Sequence, residues 1–433
     1  MSTKEMINCQ KRVMGAADLP NPVSFRDKCK EIPNTTYVTH GLHSYPAKLI
    51  PHIPRYFIKK SQLSKSCGYV LDPFCGSGTT LVEAKLCGWN SFGVDINPFA
   101  KLLSKVKTTQ LDTKKLKACF REIMKHILDD KAKFQMPKFP DINYWFSPRA
   151  QKKLMIIKEA IWKIEEPDYR DFFKVCFSAI IRKSSYADPR ISPACKSKRM
   201  RTLIQNGWEP SVFELFRKVT SYNISQHQAF VEKCKSQVFA KVIGKNAKEV
   251  MLKDEAVDLV ITSPPYINAQ KYVRSTKLEI YWLNLMTKEE LRELDRELIG
   301  TERAKFEEYR DLDFSDLTNL NQLNLTLENL SKIDRRRAYI VYKYFLEMDE
   351  VFSEIHRVLK YHECFVLVIG NNRFYGKKVP TSEILVDMAK EHLFELQTAY
   401  IDTIKSRGLM TKRNKTAAMI NCEWVLVFQR LSD

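Results

Sequence analysis

Residues 69–96 read YVLDPFCGSGTTLVEAKLCGWNSFGVDI. A short apolar run, Tyr69-Val70-Leu71, leads into Asp72-Pro73-Phe74-Cys75 and then a glycine turn, Gly76-Ser77-Gly78. The apolar spacing of Leu81, Val82 and Leu86 predicts a helix over Thr79–Cys87, and Ser91–Ile96 reads as a second strand. A strand, a glycine turn, a helix and a strand in this order open a nucleotide-binding α/β sheet. Glycines at the turn let backbone N–H groups come close to a ligand at a helix N-terminus. A phosphate-binding P-loop would need Gly-Lys-Ser/Thr, but Gly78 is followed by Thr79. A dinucleotide fingerprint would need a third glycine where Leu81 stands. Asp95, at the end of the second strand, can accept both hydroxyls of a ribose or cap a helix.

A second decisive stretch is Val257-Asp258-Leu259-Val260-Ile261-Thr262-Ser263-Pro264-Pro265-Tyr266. The apolar strand Asp258–Ile261 runs into a rigid corner. Ser263 offers a hydroxyl acceptor, while Pro264 and Pro265 lack N–H groups and hold φ, so their carbonyls stay free. Tyr266 offers a flat face on which a base can stack. The set suits a planar exocyclic amine.

Together these two stretches resemble the cofactor and catalytic motifs of the amino-group DNA methyltransferases, which use S-adenosylmethionine. The serine form of the pentad resembles the cytosine-N4 branch. Members acting on adenine N6 usually carry Asp or Asn at the place of Ser263. A cytosine-C5 enzyme would need a nucleophilic cysteine after proline, and no Pro-Cys dipeptide occurs. The resemblance implies a Rossmann-like class I α/β fold, with a seven-stranded, mostly parallel sheet, helices on both faces and a helical basic lobe. It assigns Asp72, Pro73, Phe74, Gly76, Gly78, Thr79 and Thr80 to the cofactor turn, and Asp95 and Ile96 to the ribose. His43-Ser44-Tyr45-Pro46-Ala47-Lys48 is similar to the segment lining the methionine end, which adds His43, Tyr45, Pro46 and Lys48. Gly244-Lys245-Asn246-Ala247 is similar to the motif that meets the adenine, with Asn246 where an aspartate is usual. Ser263, Pro264, Pro265 and Tyr266 are the implied catalytic residues, acting on a base flipped from its duplex.

The chain has 433 residues, room for one large α/β domain with insertions or for two to three domains. A formal charge of +20 favours polyanionic partners, although a solvated lysine-rich surface would give the same number. The eleven cysteines form no Cys-x-x-Cys pair and no Cys/His cluster with zinc spacing, so no metal is expected. The first residues, Met1-Ser2-Thr3-Lys4-Glu5, lack an apolar signal core, and no run reaches the length of a membrane span. A cytoplasmic protein with reduced thiols is expected, with no membrane partner.

The organisation predicted is a lead-in over 1–36, a cofactor-binding part of the core over 37–100 and a helical basic lobe over 101–240. The catalytic part follows over 241–282, then an insertion over 283–340 and the C-terminal part of the core over 341–433. Leu154–Ile164 and Phe172–Ile181 have helical periodicity, as do Phe345, Met348, Val351, Phe352, Ile355, Val358 and Leu359. Cys364–Ile369 and Trp424–Phe428 read as strands. Candidate contacts to double-stranded DNA are Arg182, Lys183 and Arg190 in the basic stretch 182–201, Lys271 and Arg274 after the pentad, and Arg407 and Arg413. The insertion 283–340 is either a target-recognition element or a plain structural insertion. The expected function is site-specific methylation of cytosine N4 in a restriction–modification system, with a cognate endonuclease acting separately. Adenine-N6 methylation, RNA base methylation and an inactive nucleic-acid-binding scaffold are the alternatives.

Overall fold

The computed structural model describes residues 22–46, 48–128, 139–234, 237–267, 272–403 and 422–432. Nine strands are seen there: β1 (Tyr69–Asp72), β2 (Asn90–Gly93), β3 (Ala240–Val242), β4 (Val257–Thr262), β5 (Leu359–Ile369), β6 (Asn372–Phe374), β7 (Lys377–Val379), β8 (Phe394–Thr403) and β9 (Cys422–Arg430). Seven of them form one sheet in the order β3-β2-β1-β4-β5-β9-β8, and β6 and β7 make a separate hairpin. β3, β2, β1, β4 and β5 are mutually parallel, and β9 runs antiparallel to both β5 and β8. This is the expected Rossmann-like arrangement.

Alternation along the strands sorts the core into two layers. Leu71, Val260, Phe365, Leu367, Leu426 and Phe428 face one side and pack on the helix Arg335–Val358 and the helix Thr381–Glu391. Val70, Leu259, Ile261, Val366, Val368, Val425 and Val427 face the other, under the helix His52–Ser61. β4 is buried along its whole length, as a central parallel strand covered on both faces must be. A third apolar cluster holds the helical lobe together: the helices Pro98–Thr108, Thr113–Leu128, Pro148–Trp162, Pro167–Ile181, Val212–Lys233 and Tyr272–Trp282.

Several boundaries differ from the sequence reading, each for a local reason. The second strand stops at Gly93, because Val94 and Asp95 turn inward: the Val94 carbonyl accepts from Cys75 N at 2.9 Å. The helix read through Leu359 ends at Val358, because Leu359 already begins β5. The N-terminal segment is more than a lead-in. Phe25 is fully buried against Tyr56, Phe57 and Tyr400, and Val23 N donates to the Ile401 carbonyl at 3.0 Å. β3 and β8 have no counterpart among the predicted strands. β8 alternates buried and exposed residues at the sheet edge, a pattern mixed with polar residues, and its strand character comes from pairing with β9. The insertion is partly core: Phe314, Leu323, Leu327 and Leu330 join the cluster around the helix Arg335–Val358.

The chain leaves β1 toward β2 and β3 and returns to β4 on the opposite side of β1. The topological switch therefore falls between β1 and β4. In open α/β sheets the loops at the carboxyl ends of such strands part and leave a crevice.

Candidate active site

The crevice is present: a cleft opens where the loops after β1, β2 and β4 meet. Its first wall is the glycine turn. Gly78 has φ +78°, a left-handed conformation at the N-terminus of the helix Thr79–Leu86. Gly78 N donates to the Cys75 carbonyl at 2.7 Å, and Ser104 Oγ donates to the Gly76 carbonyl at 2.8 Å. Asp72, Pro73, Phe74, Gly76, Ser77 and Thr79 all line the cleft from this turn. Ser77 Oγ is buried there without a partner among the described residues, so a ligand in the cleft could satisfy it.

Asp95 holds the second wall. Its Oδ2 accepts from Gly76 N at 2.9 Å and its Oδ1 from Asn97 N at 2.8 Å. Each oxygen keeps a further lone pair, so the carboxylate is fixed in place and still able to receive a vicinal diol. Burial pushes its pKa from 3.8 up to about 6. Asn97 caps the next helix through Phe99 N and donates to the Tyr45 hydroxyl at 3.3 Å, which ties the segment 43–48 to the same wall. Tyr45 and Lys48 line the cleft, and Lys48 Nζ donates to the His40 carbonyl at 3.0 Å. Burial lowers its pKa to about 8.

The catalytic corner meets this wall directly. Thr262 Oγ1 donates to Asp72 Oδ1 at 2.7 Å, clasping the end of β4 to the end of β1. Asp72 also accepts from Phe74 N at 3.1 Å, and burial raises its pKa to about 6. The clasp sets Ser263 and Pro265 into the cleft lining. The Ser263 hydroxyl has no hydrogen-bond partner among the described residues. Beyond it, the Tyr266 hydroxyl donates to Glu423 Oε1 at 2.7 Å, and the Asn372 side chain donates to the Ile267 carbonyl. The corner is thus braced from β9 and from the start of β6.

Twelve of the residues read from the sequence are brought together: Tyr45, Lys48, Asp72, Pro73, Phe74, Gly76, Thr79, Asp95, Ile96, Asn246, Ser263 and Pro265. Others are not on the cleft wall. His43 is buried edge-on against Phe99, and burial holds its imidazole neutral, with a pKa near 3. Pro46, Gly78, Thr80, Pro264 and Tyr266 stand behind or beside the wall. Of the basic residues, Lys183 and Arg274 are exposed. Arg182 is half-buried, with Nε and Nη2 enclosed, and so does not present its guanidinium to solvent. Arg190 is exposed but spans Asp188 with two bonds of 3.0 and 2.9 Å. Lys271, Arg407 and Arg413 lie outside the described residues, as does Ala47.

Sequence reasoning missed Glu297, Leu298 and Ile299, which close one side of the cleft from within the insertion. Gly300 explains why the chain can come so close: its φ is +75°, and an added Cβ would lie 3.2 Å from the Tyr266 carbonyl oxygen. Nothing in a segment rich in Leu and Glu marks that approach beforehand. The isolated Gly300 was its only trace. Among the described residues no group of His, Cys, Asp and Glu could hold a metal, and no helix is long and apolar enough to cross a membrane.

Fold and cleft together give a Rossmann-like α/β core of the class I methyltransferase type, with its cleft at the topological switch. Comparison with known proteins narrows the class. The DNA methylase family of N6 and N4 enzymes matches residues 23–106, the stretch that carries both the segment 43–48 and the glycine turn. The chain is 28% identical over 405 residues to the Type II methyltransferase M.MvaI of Kocuria varians, covering 88% of each. It is 23% identical over 421 residues to the Type II methyltransferase M.BsoBI of Geobacillus stearothermophilus, covering 86% of this chain and 82% of that one. A shorter match, 38% over 119 residues, joins 26% of the chain to 22% of the Type II methyltransferase M.MjaII of Methanocaldococcus jannaschii. The segment around the glycine turn thus matches a DNA methylase family, and the chain is similar over most of its length to Type II methyltransferases.

Proposed function

We propose that the protein methylates the N4 amine of cytosine in double-stranded DNA. The observation that carries this reading is the Thr262–Asp72 clasp, which sets an unpartnered Ser263 hydroxyl in the wall of the cofactor cleft.

The nitrogen of an exocyclic amine is a poor nucleophile, because its lone pair is delocalised into the ring. Ser263 Oγ and the Pro264 carbonyl accept the two amine hydrogens and favour a tetrahedral nitrogen with its lone pair exposed. The same fixed oxygens stabilise positive charge as it develops there. S-adenosylmethionine supplies an electrophilic methyl group on a sulfonium. Asp95 binds the ribose, Asn246 the adenine, and Tyr45 and Lys48 the methionine end. Holding the amine against the bound methyl donor would supply much of the rate. Tyr266, anchored through its hydroxyl on Glu423, forms the face on which the extruded base stacks. Lys183, Arg190, Arg274, and Lys271, Arg407 and Arg413 beyond the described residues, contact the DNA backbone. The insertion 283–340 is the candidate reader of the target sequence, and a separate endonuclease cuts unmodified sites.

Transfer of a tritiated methyl group to DNA, followed by nucleoside analysis, tests the reading. Label on N4-methylcytosine is expected, and Ser263→Ala should lower kcat by roughly 10²–10³-fold while S-adenosylmethionine still binds. Label on adenine overturns the cytosine assignment, and label confined to RNA overturns the DNA assignment.

A further inference from the structure

The helical lobe carries a cluster of aromatic rings and cations that the cofactor cleft does not use. Three separate pieces of chain build it. The helix Ile142–Trp145 brings Tyr144 and Trp145, the loop after the helix Pro167–Ile181 brings Tyr186 and Lys196, and the helix Tyr272–Trp282 brings Arg274 and Lys277. Lys196 Nζ lies between two rings, 3.8 Å from the centroid of Tyr144 and 4.9 Å from that of Tyr186. Lys277 Nζ lies 4.7 Å from the Trp145 ring. Tyr144 itself meets Trp145 edge to face at 4.8 Å and leaves 51% of its surface exposed.

The cluster is rigid. Tyr186 N donates to the Trp145 carbonyl at 2.7 Å, and Ser192 and Ser275 share a hydrogen bond of 2.7 Å. The loop's one acid, Asp188, is consumed internally: it accepts from Arg190 and, at 2.7 Å, from Ser197 Oγ. Lys196, Arg274 and Lys277 have no ion-pair partner among the described residues. The cations crowd one another, Arg201 beside Lys196 and Arg274 beside Lys277, and burial with this crowding lowers both lysines' pKa. Asp141 lies near Lys277, but the cations outnumber it, and a surface with this excess of positive charge favours an anionic partner. Rings interleaved with those cations suit one that also has flat faces to stack. The Ser192–Ser275 bond joins the loop to the helix Tyr272–Trp282, which follows the proline corner in sequence.

We infer that Tyr144, Lys196, Arg274 and Lys277 form a ledge that guides the DNA strand beside the extruded base, the cations taking phosphates and Tyr144 stacking on a base or sugar. The inference rests on the DNA reading proposed above, which already names Arg274, and adds Tyr144, Lys196 and Lys277 to it. Lys196 is pre-ordered between two rings, so binding a phosphate costs little side-chain entropy.

The test uses the full chain with S-adenosylmethionine and a DNA duplex, measuring affinity from 50 to 200 mM salt. Lys196→Gln is expected to flatten the slope of log K against log salt by about 1. Tyr144→Ala is expected to weaken binding about ten-fold at every salt concentration. Lys390→Gln, which alters an exposed lysine on the helix Thr381–Glu391, should change neither. S-adenosylmethionine affinity should be unchanged throughout, and this serves as the folding control. Should Tyr144→Ala fail that control, Lys196→Gln carries the test alone. An unchanged slope and affinity in both variants, when the wild type methylates DNA, overturns the ledge and spares the DNA reading. A wild type that labels no DNA overturns the DNA reading first. A ledge variant that loses RNA binding while keeping DNA binding overturns the assigned partner.

Discussion

Gly78→Ala is a perturbation whose magnitude can be worked from the structure. Gly78 sits at φ +78°, where an L-residue costs roughly 1–2 kcal/mol. An added Cβ would also lie 2.9 Å from Ser104 Cα and 2.9 Å from Ser104 Oγ. Ser104 Cα is backbone of a buried helix and cannot swing aside, so overpacking adds about 1–3 kcal/mol. The total expected loss is about 2–5 kcal/mol. Gly376 is the natural control. It has the same φ of +78°, but nothing lies within 4 Å of the Cβ position, so Gly376→Ala should cost only the backbone share. The pair separates conformational strain from steric clash. Urea denaturation of both variants, compared at equal m, gives the stabilities. Calorimetric titration with S-adenosylmethionine gives the functional consequence. Pushing Ser104 outward disturbs its hydrogen bond to the Gly76 carbonyl, so Gly78→Ala should bind the cofactor at least ten-fold more weakly and Gly376→Ala should bind normally. Equal stability losses in the two variants, with normal cofactor binding in both, would refute the close-approach reasoning.

Asp72 has a folded pKa of about 6 against 3.8 for the ordinary group, so the folded state holds its proton more tightly. Stability of the unliganded protein should therefore fall as pH rises from about 4 to about 6, by up to roughly 3 kcal/mol from this group. Asp72→Asn should flatten that part of the denaturation-versus-pH curve, and an unchanged slope would exclude Asp72 as its source. Glu83 is buried under three donors, His40 at 2.7 Å, Arg55 at 2.6 Å and the Tyr37 hydroxyl, and so joins the segment before the cleft to the first helix after the glycine turn. Glu83→Gln leaves Arg55 without its counter-charge and should lower stability by about 3–5 kcal/mol in chemical denaturation. Glu423→Gln weakens the anchor of Tyr266; KM for DNA should rise about five- to ten-fold while cofactor affinity holds, and a drop in cofactor affinity instead would show a merely structural role.

The sequence alone determined the class of fold, the glycine turn and the proline corner. The reason is that each is local: a glycine that needs φ +78°, an aspartate ending a strand and two prolines without N–H groups act within a few residues of where they stand. The same locality made β4 and the second half of β5, Cys364–Ile369, legible, since both are apolar runs, while the polar first half of β5 carried no such signal. Tertiary structure decided what depends on distant partners. β8 is a strand because β9 pairs with it, and Phe25 is core because Tyr56 and Tyr400 surround it. His43 lies inside a short motif, but packing against Phe99 turns it away from the cleft wall. Arg182 and Arg190 read as free cations by charge count, and burial and Asp188 decide otherwise. Glu297–Ile299 reach the cofactor cleft, and Glu423 reaches Tyr266, across 157 residues of chain; contacts closed over such spans leave no periodicity or spacing to read.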